Sequence, residues 1–259
     1  MITGPSSLWD LIEARAAATP DSVLGVDEDG RVITYGGYRD AAERAAAGFA
    51  ALGIGEGTPV SWQLPTWIES LVLVGALSRL GAVQNPMLPI YRQREVGFIT
   101  EQTGAKFLIV PGQWRGVDYV AMAQDVVERV PSLEVLTVNR DLPDGDPSTL
   151  PAAPVAPAKD DDAPIRWVFY TSGTTADPKG ARHTDATIKA AAYAMGAALD
   201  VQPEDVTALV FPLTHIGGIS WLFTLMMSGA KSVVVEGFDP PTTIPVSYTH
   251  LTLPTNREV

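Results

Sequence analysis

The chain has 259 residues, a formal net charge of −12 and 46% hydrophobic residues, enough apolar content to fold around a core rather than stay disordered. The acidic balance argues against a nucleic-acid surface, because backbone phosphates call for clustered Lys and Arg. With no cysteine and three histidines, disulfides, thiolate nucleophiles and Cys-ligated zinc are excluded and a His-rich metal site is disfavoured.

The opening stretch MITGPSSLWDLIEARAAATP carries no basic segment followed by an apolar run. It therefore reads as no signal peptide, and cytoplasmic residence is expected. Ser6 and Ser7 stand where a cap belongs, before a helix carrying Leu8, Leu11 and Ile12. The runs Val23 to Val26 and Arg31 to Tyr35 flank Asp29-Gly30 and predict a hairpin. Tyr38, Ala41, Ala45, Phe49 and Leu52 recur at helical spacing and stop at Gly53. Pro59 to Leu64 reads as a strand, and Ile68 to Leu80 as a helix apolar on nearly all sides, hence buried. A brief strand near Ala82-Val83 runs into Asn85-Pro86, a turn signal. Glu95 to Gln102 and Tyr119 to Val130 read as helices, Lys106 to Val110 and Leu133 to Val138 as strands. This alternation predicts an α/β fold, a mainly parallel sheet with helices on both faces.

From Asp141 to Pro164 prolines and aspartates dominate, which predicts a surface linker between a first α/β subdomain over 1–140 and a second beginning at 165. The run Asp160-Asp161-Asp162 reads as solvated charge, not as a metal site. Between Asp205 and Lys231 lie 25 residues without formal charge, long enough to span a membrane. Pro212, His215 and Gly217-Gly218 divide the segment into a strand (Val206 to Phe211), a turn and a helix (Ile219 to Met227), so no transmembrane segment is expected.

The chemistry is concentrated in WVFYTSGTTADPKGARHT, Trp167 to Thr184. A buried strand over Ile165 to Tyr170 leads into Thr171, Ser172, Gly173, Thr174 and Thr175, then Pro178, Lys179 and Gly180, with a helix expected to start near a capping Asp185. Glycines let successive N–H groups converge on an anion. The hydroxyls and Lys179 add donors to match phosphate oxygens, which only accept. The order is not that of a Walker A loop, which ends Gly-Lys-Ser/Thr.

Tyr-Thr-Ser-Gly-Thr-Thr-x-x-Pro-Lys-Gly resembles the phosphate-binding signature of adenylate-forming ligases, the superfamily of acyl-CoA synthetases, adenylation domains and luciferases. Ala176 departs from the glycine common there. TYGGYRDAAERAAAGFAALGIGEGTPVSWQLPTWIESLVLVGALSRLGAV and REVGFITEQTGAKFLIV are similar to the opening of the same family, so the likeness runs over about residues 6 to 240. FPLTHIGGI, Phe211 to Ile219, resembles its Pro-x-x-His segment with a following glycine. The resemblance implies part of the large N-terminal domain of an acyl-CoA synthetase. Its substrates would be ATP, with Mg²⁺, a carboxylic acid (fatty, medium-chain or alicyclic) and CoA, and no nucleic acid. Thr171 to Thr175, Lys179 and Gly180 would hold phosphates, and His215 and Gly218 would border the acyl and CoA channels. An adenylation domain loading a carrier protein, or a non-catalytic nucleotide-binding homologue, is the alternative.

The resemblance also implies that the ribose-binding Asp, the adenine-stacking segment and the catalytic Lys lie beyond residue 240. No catalytic residue or protein metal ligand is then assigned here, and the chain as given is expected to be inactive. Val246 to Val259 resembles a translated transposon adapter, so 241–259 is expected to be a non-native tail, with Lys231 to Glu236 left as an unpaired sheet edge.

Overall fold

A computed structural model describes residues 1–156, 162–171, 178–209 and 211–237. Ser7 caps α1 (Leu8–Ala18), its hydroxyl accepting from the Asp10 N–H at 3.0 Å. The hairpin β1 (Val23–Asp27) and β2 (Val32–Thr34) follows. Thr34 then caps α2 (Tyr35–Ala51), which starts a turn earlier than its apolar periodicity indicates. Parallel units come next: β3 (Pro59–Trp62), α3 (Ile68–Leu80), β4 (Val83–Pro86), α4 (Gln93–Thr103) and β5 (Phe107–Val110). Gly81 and Gly104 end α3 and α4 with φ of 66° and 61°, a left-handed conformation that suits glycine. The small hairpin β6 (Gln113–Trp114) and β7 (Val117–Asp118) leads to α5 (Tyr119–Val127) and β8 (Glu134–Thr137). After the Pro/Asp-rich stretch come β9 (Trp167–Thr171), β10 (Lys179–His183), α6 (Asp185–Ala198), β11 (Val206–Leu209), α7 (Ile216–Ser228) and β12 (Lys231–Val234).

Besides the two-stranded β6–β7 sheet, the described residues form two larger sheets, mainly parallel as expected. One runs β10-β9-β4-β3-β5-β8 with only β10 antiparallel, the other β11-β12-β1-β2 with only β2 antiparallel. β5 shows how helices cover both faces: Phe107 and Ile109 enter the large core with α2 and α3, while Leu108 and Val110 enter a second cluster with α4 and α5. Where α2 crosses α3, a side chain on Gly75 would stand 2.9 Å from both Ala42 Cβ and the Tyr38 hydroxyl, so the helices meet at the glycine.

Four local expectations are corrected. Asn85-Pro86 is not a turn but the end of β4: Asn85 accepts from Ser61 Oγ (2.9 Å) and donates to Val168 O (2.8 Å), and Pro86 sits at the last position, where no ladder donor is needed. Asp185 does not cap α6; Thr184 does, accepting from the Thr187 N–H. β12 is no edge, because β1 pairs with it on one side and β11 on the other. The stretch from 141 to 164 does not separate the sheets either, since β9 pairs with β4 and β12 with β1. Its described part lies on α2 and α3, with Gly145 N–H on Arg44 O (3.0 Å) and Arg79 on Pro151 O (2.8 Å). Asp160, Asp161 and the tail from 241 onward lie outside the described residues. Among the described residues no helix is long and apolar enough to cross a membrane.

Candidate functional site

The expected strand, loop and helix around the phosphate-binding signature contain one more element. β9 and β10 form an antiparallel hairpin at the rim of the six-stranded sheet, with Thr171 opposite Lys179 and Tyr170 opposite Gly180. Lys179 and Gly180 therefore lie on a strand, and Thr171 closes the strand before it. Ser172, Gly173, Thr174 and Thr175, which connect them, lie outside the described residues.

Gly180 has a local reason. A Cβ there would come within 2.9 Å of Tyr170 Cζ, so the tyrosine ring lies across the bare backbone of β10, a ring-over-glycine pairing known from sheet edges. The Tyr170 hydroxyl then donates to Gln102 Oε1 on α4 at 2.6 Å. Burial raises the Tyr170 pKa, so the phenol stays a neutral donor.

His215 stands at the N-cap of α7, exposed, with Nδ1 accepting from the Gly217 N–H at 3.0 Å. That bond leaves Nε2 to carry the proton of the neutral ring. The Phe211 ring stacks on it, centroids 6.0 Å apart and planes inclined by 23°. His215 is thus not a core histidine. Gly218 lies behind it: a Cβ there would be 2.4 Å from the Pro212 carbonyl oxygen, so only glycine lets the first turn of α7 fold back onto that peptide. Leu213 N–H is held by Thr66 Oγ1 at 3.0 Å, which ties this turn to the start of α3.

His215 and Thr171 border one cavity of about 330 Å³, together with Leu88, Tyr91, Phe169 and His183. Lys179 and Gly180 border a different groove, of about 620 Å³, and Gly218 borders neither. Tyr91 and His183 were not singled out from the sequence; once β10 is known, His183 follows, because it shares a face with Ala181 and, across the ladder, Trp167. Among the described residues no carboxylate lines the cavity. Its open mouth, imidazole and hydroxyls suit an acid with an apolar body. Among the described residues no group of three or more His, Asp or Glu is placed to hold a metal ion.

Comparison with known proteins identifies the family. The family described as AMP-binding enzyme matches residues 12–252. The medium-chain fatty-acid–CoA ligase of Escherichia coli (strain K12) is 30% identical over 251 residues, 92% of this chain and 43% of that protein. The 2-hydroxy-7-methoxy-5-methyl-1-naphthoate–CoA ligase of Streptomyces carzinostaticus is 33% identical over 256 residues, 91% of this chain and 45% of its own length. Among solved structures, the Mycobacterium tuberculosis fatty acyl CoA synthetase superposes with a TM-score of 0.77 at 22% identity, over 93% of this chain and 47% of that one. The chain thus spans less than half the length of the relatives it matches.

Proposed function

This chain belongs to the AMP-binding enzyme family, and we propose that the protein activates a carboxylic acid with ATP and passes the acyl group to CoA. The acid's carboxylate oxygen attacks the α-phosphorus, the bond to pyrophosphate breaks, and an acyl-adenylate forms. The CoA thiol then attacks the acyl carbon, releasing AMP and a proton and leaving a thioester. A free carboxylate is a poor electrophile because oxide would have to leave; adenylation supplies a good leaving group. The observation that carries the reading is that the end of β9, where the phosphate signature begins, and His215 face one cavity.

On this reading the protein's part is positioning and charge stabilisation. Thr171 to Thr175, Lys179 and Gly180 cradle the β- and γ-phosphates. Mg²⁺ enters on the nucleotide, where it screens the triphosphate charge. The apolar wall of Leu88 and Phe169 takes the body of a fatty, medium-chain or alicyclic acid, and His215 borders the acyl group and the path of the thiol. CoA is favoured over a carrier protein as acceptor because both relatives above are CoA ligases by name. Cytoplasmic residence belongs to the same proposal.

The test is binding of a stable acyl-adenylate mimic, octanoyl-sulfamoyl adenosine, followed by calorimetry. Binding that is lost on crowding the cavity with Ala181→Trp is expected. No binding by the enzyme that carries this chain refutes the reading.

A further inference from the structure

We infer that Thr66 is a positioning residue of the acid site: its hydroxyl sets where His215 stands on the cavity, and thereby which acids are accepted. The inference rests on the adenylation reading. His215 ends a tight turn, its N–H donating to Pro212 O at 2.8 Å. Leu213 and Thr214 form the corner, and both are buried. Among the described residues, one hydrogen bond ties the backbone from Pro212 to Thr214 to another element. It runs from the Leu213 N–H to Thr66 Oγ1, 3.0 Å long and across 147 residues of sequence.

Thr66 is held as a fixed post. It lies between β3 and α3 and is 4% exposed. Its own N–H donates to Glu236 O at 3.3 Å, just past the end of β12. The Glu236 carboxylate accepts in turn from Trp114 Nε1 and from Arg140, each at 2.5 Å. On the other side Ser70 Oγ donates to Pro65 O at 2.6 Å. The neighbours Leu64, Trp67 and Ile68 are buried and apolar, so a valine would fill the same space. What Thr66 adds is the acceptor for Leu213. A buried N–H requires a partner. Without the Thr66 oxygen the Leu213 peptide turns to find one, and the corner turns with it. The other end of the turn has no room to give: a Cβ on Gly218 would stand 2.4 Å from the Pro212 carbonyl oxygen. The displacement therefore passes to His215, two residues on, whose ring borders the cavity. Thr66 itself does not line that cavity, so it acts on the acid through the turn.

The test is acid-dependent ATP–pyrophosphate exchange by the enzyme that carries this chain, with octanoate and with cyclohexanecarboxylate. Thr66→Val should change the ratio of the two kcat/KM values at least about fivefold and leave KM for ATP within about twofold. Thr66→Ser, which keeps the hydroxyl, should restore the wild-type ratio. In a His215→Asn background the effect of Thr66→Val should shrink at least about threefold, because the side chain it positions is gone. Thr66→Asn covers the case in which the valine variant does not fold. It keeps an acceptor oxygen one bond farther out, and it too should change the ratio, less so with Asn at 215. A ratio that ignores the folded variants overturns the inference. So does an equal factor in both backgrounds, which a merely structural role would give, or a serine variant that behaves like valine. Failure of the adenylation reading shows separately, as a wild-type enzyme with no acid-dependent exchange, and it takes the inference with it.

Discussion

The ring of Tyr170 occupies the space that a side chain on Gly180 would need, Cζ standing 2.9 Å from where a Cβ would be. The hairpin that bears the phosphate signature is thereby tied to α4 through the 2.6 Å bond from Tyr170 to Gln102. Gly180→Ala should push the ring aside, break that bond and cost about 1 kcal/mol, the net worth of one neutral hydrogen bond. The effect should shrink in a Tyr170→Phe background, where the bond is already gone. Denaturant unfolding of the four proteins of this double-mutant cycle measures it, and strict additivity would show that Gly180 is not coupled to the Tyr170 hydroxyl bond.

Lys179 is the cation of the segment read as the phosphate cradle. In the enzyme that carries this chain, Lys179→Ala should weaken ATP use by about 1.5–3 kcal/mol, the range for a hydrogen bond to a charged group. Acid-dependent ATP–pyrophosphate exchange reports it, and an ATP dependence unchanged by the substitution would remove Lys179 from the cradle.

His215 has two separable roles, capping α7 through Nδ1 and bordering the cavity. His215→Ala should cost about 1 kcal/mol as a lost cap. It should also change acid preference or thioester formation and leave ATP affinity nearly intact. His215→Asn restores a good cap, so stability should recover while acid preference stays altered. If Asn restores both, the histidine matters only as a cap.

How much of this was legible depended on whether a signal was local. The helix Ile68–Leu80 could be read to the residue because an apolar run is closed by Gly81 in a left-handed conformation. The alternation of strands and helices gave the parallel sheets. β10 was missed because Lys179–His183 is exposed at four of its five positions and carries no apolar alternation. Its antiparallel pairing with β9 is a tertiary fact, and with it went His183 in the cavity. Asn85-Pro86 read as a turn because its partners, Ser61 and Val168, lie 24 and 83 residues away. β12 read as an edge for the same reason, since its neighbour β1 comes from the far end of the chain.

Asp185 provides a test of the core that joins these distant pieces. Its carboxylate accepts from the Leu8 N–H at 2.9 Å and from Trp167 Nε1 at 2.6 Å, tying α1, β9 and α6 together. Burial raises its pKa above the ordinary aspartate range, more than these two bonds and the charge of Arg166 lower it, while Asp10 adds to the rise. In the folded chain the group holds its proton to higher pH than in the unfolded chain. Over the interval between the two pKa values the native state binds more protons, so stability falls as pH rises from the ordinary aspartate range through the raised value, and the loss is complete above it. Asp185→Asn removes that titration but offers one oxygen where two acceptors were in use, so it is the less stable protein in acid. Its deficit relative to the wild type should therefore narrow as pH rises. Denaturant unfolding of both proteins at pH 4.5 and pH 8 decides it. A deficit that widens toward pH 8 would mean that the two hydrogen bonds outweigh burial and that the carboxyl ionises more readily in the fold than out of it.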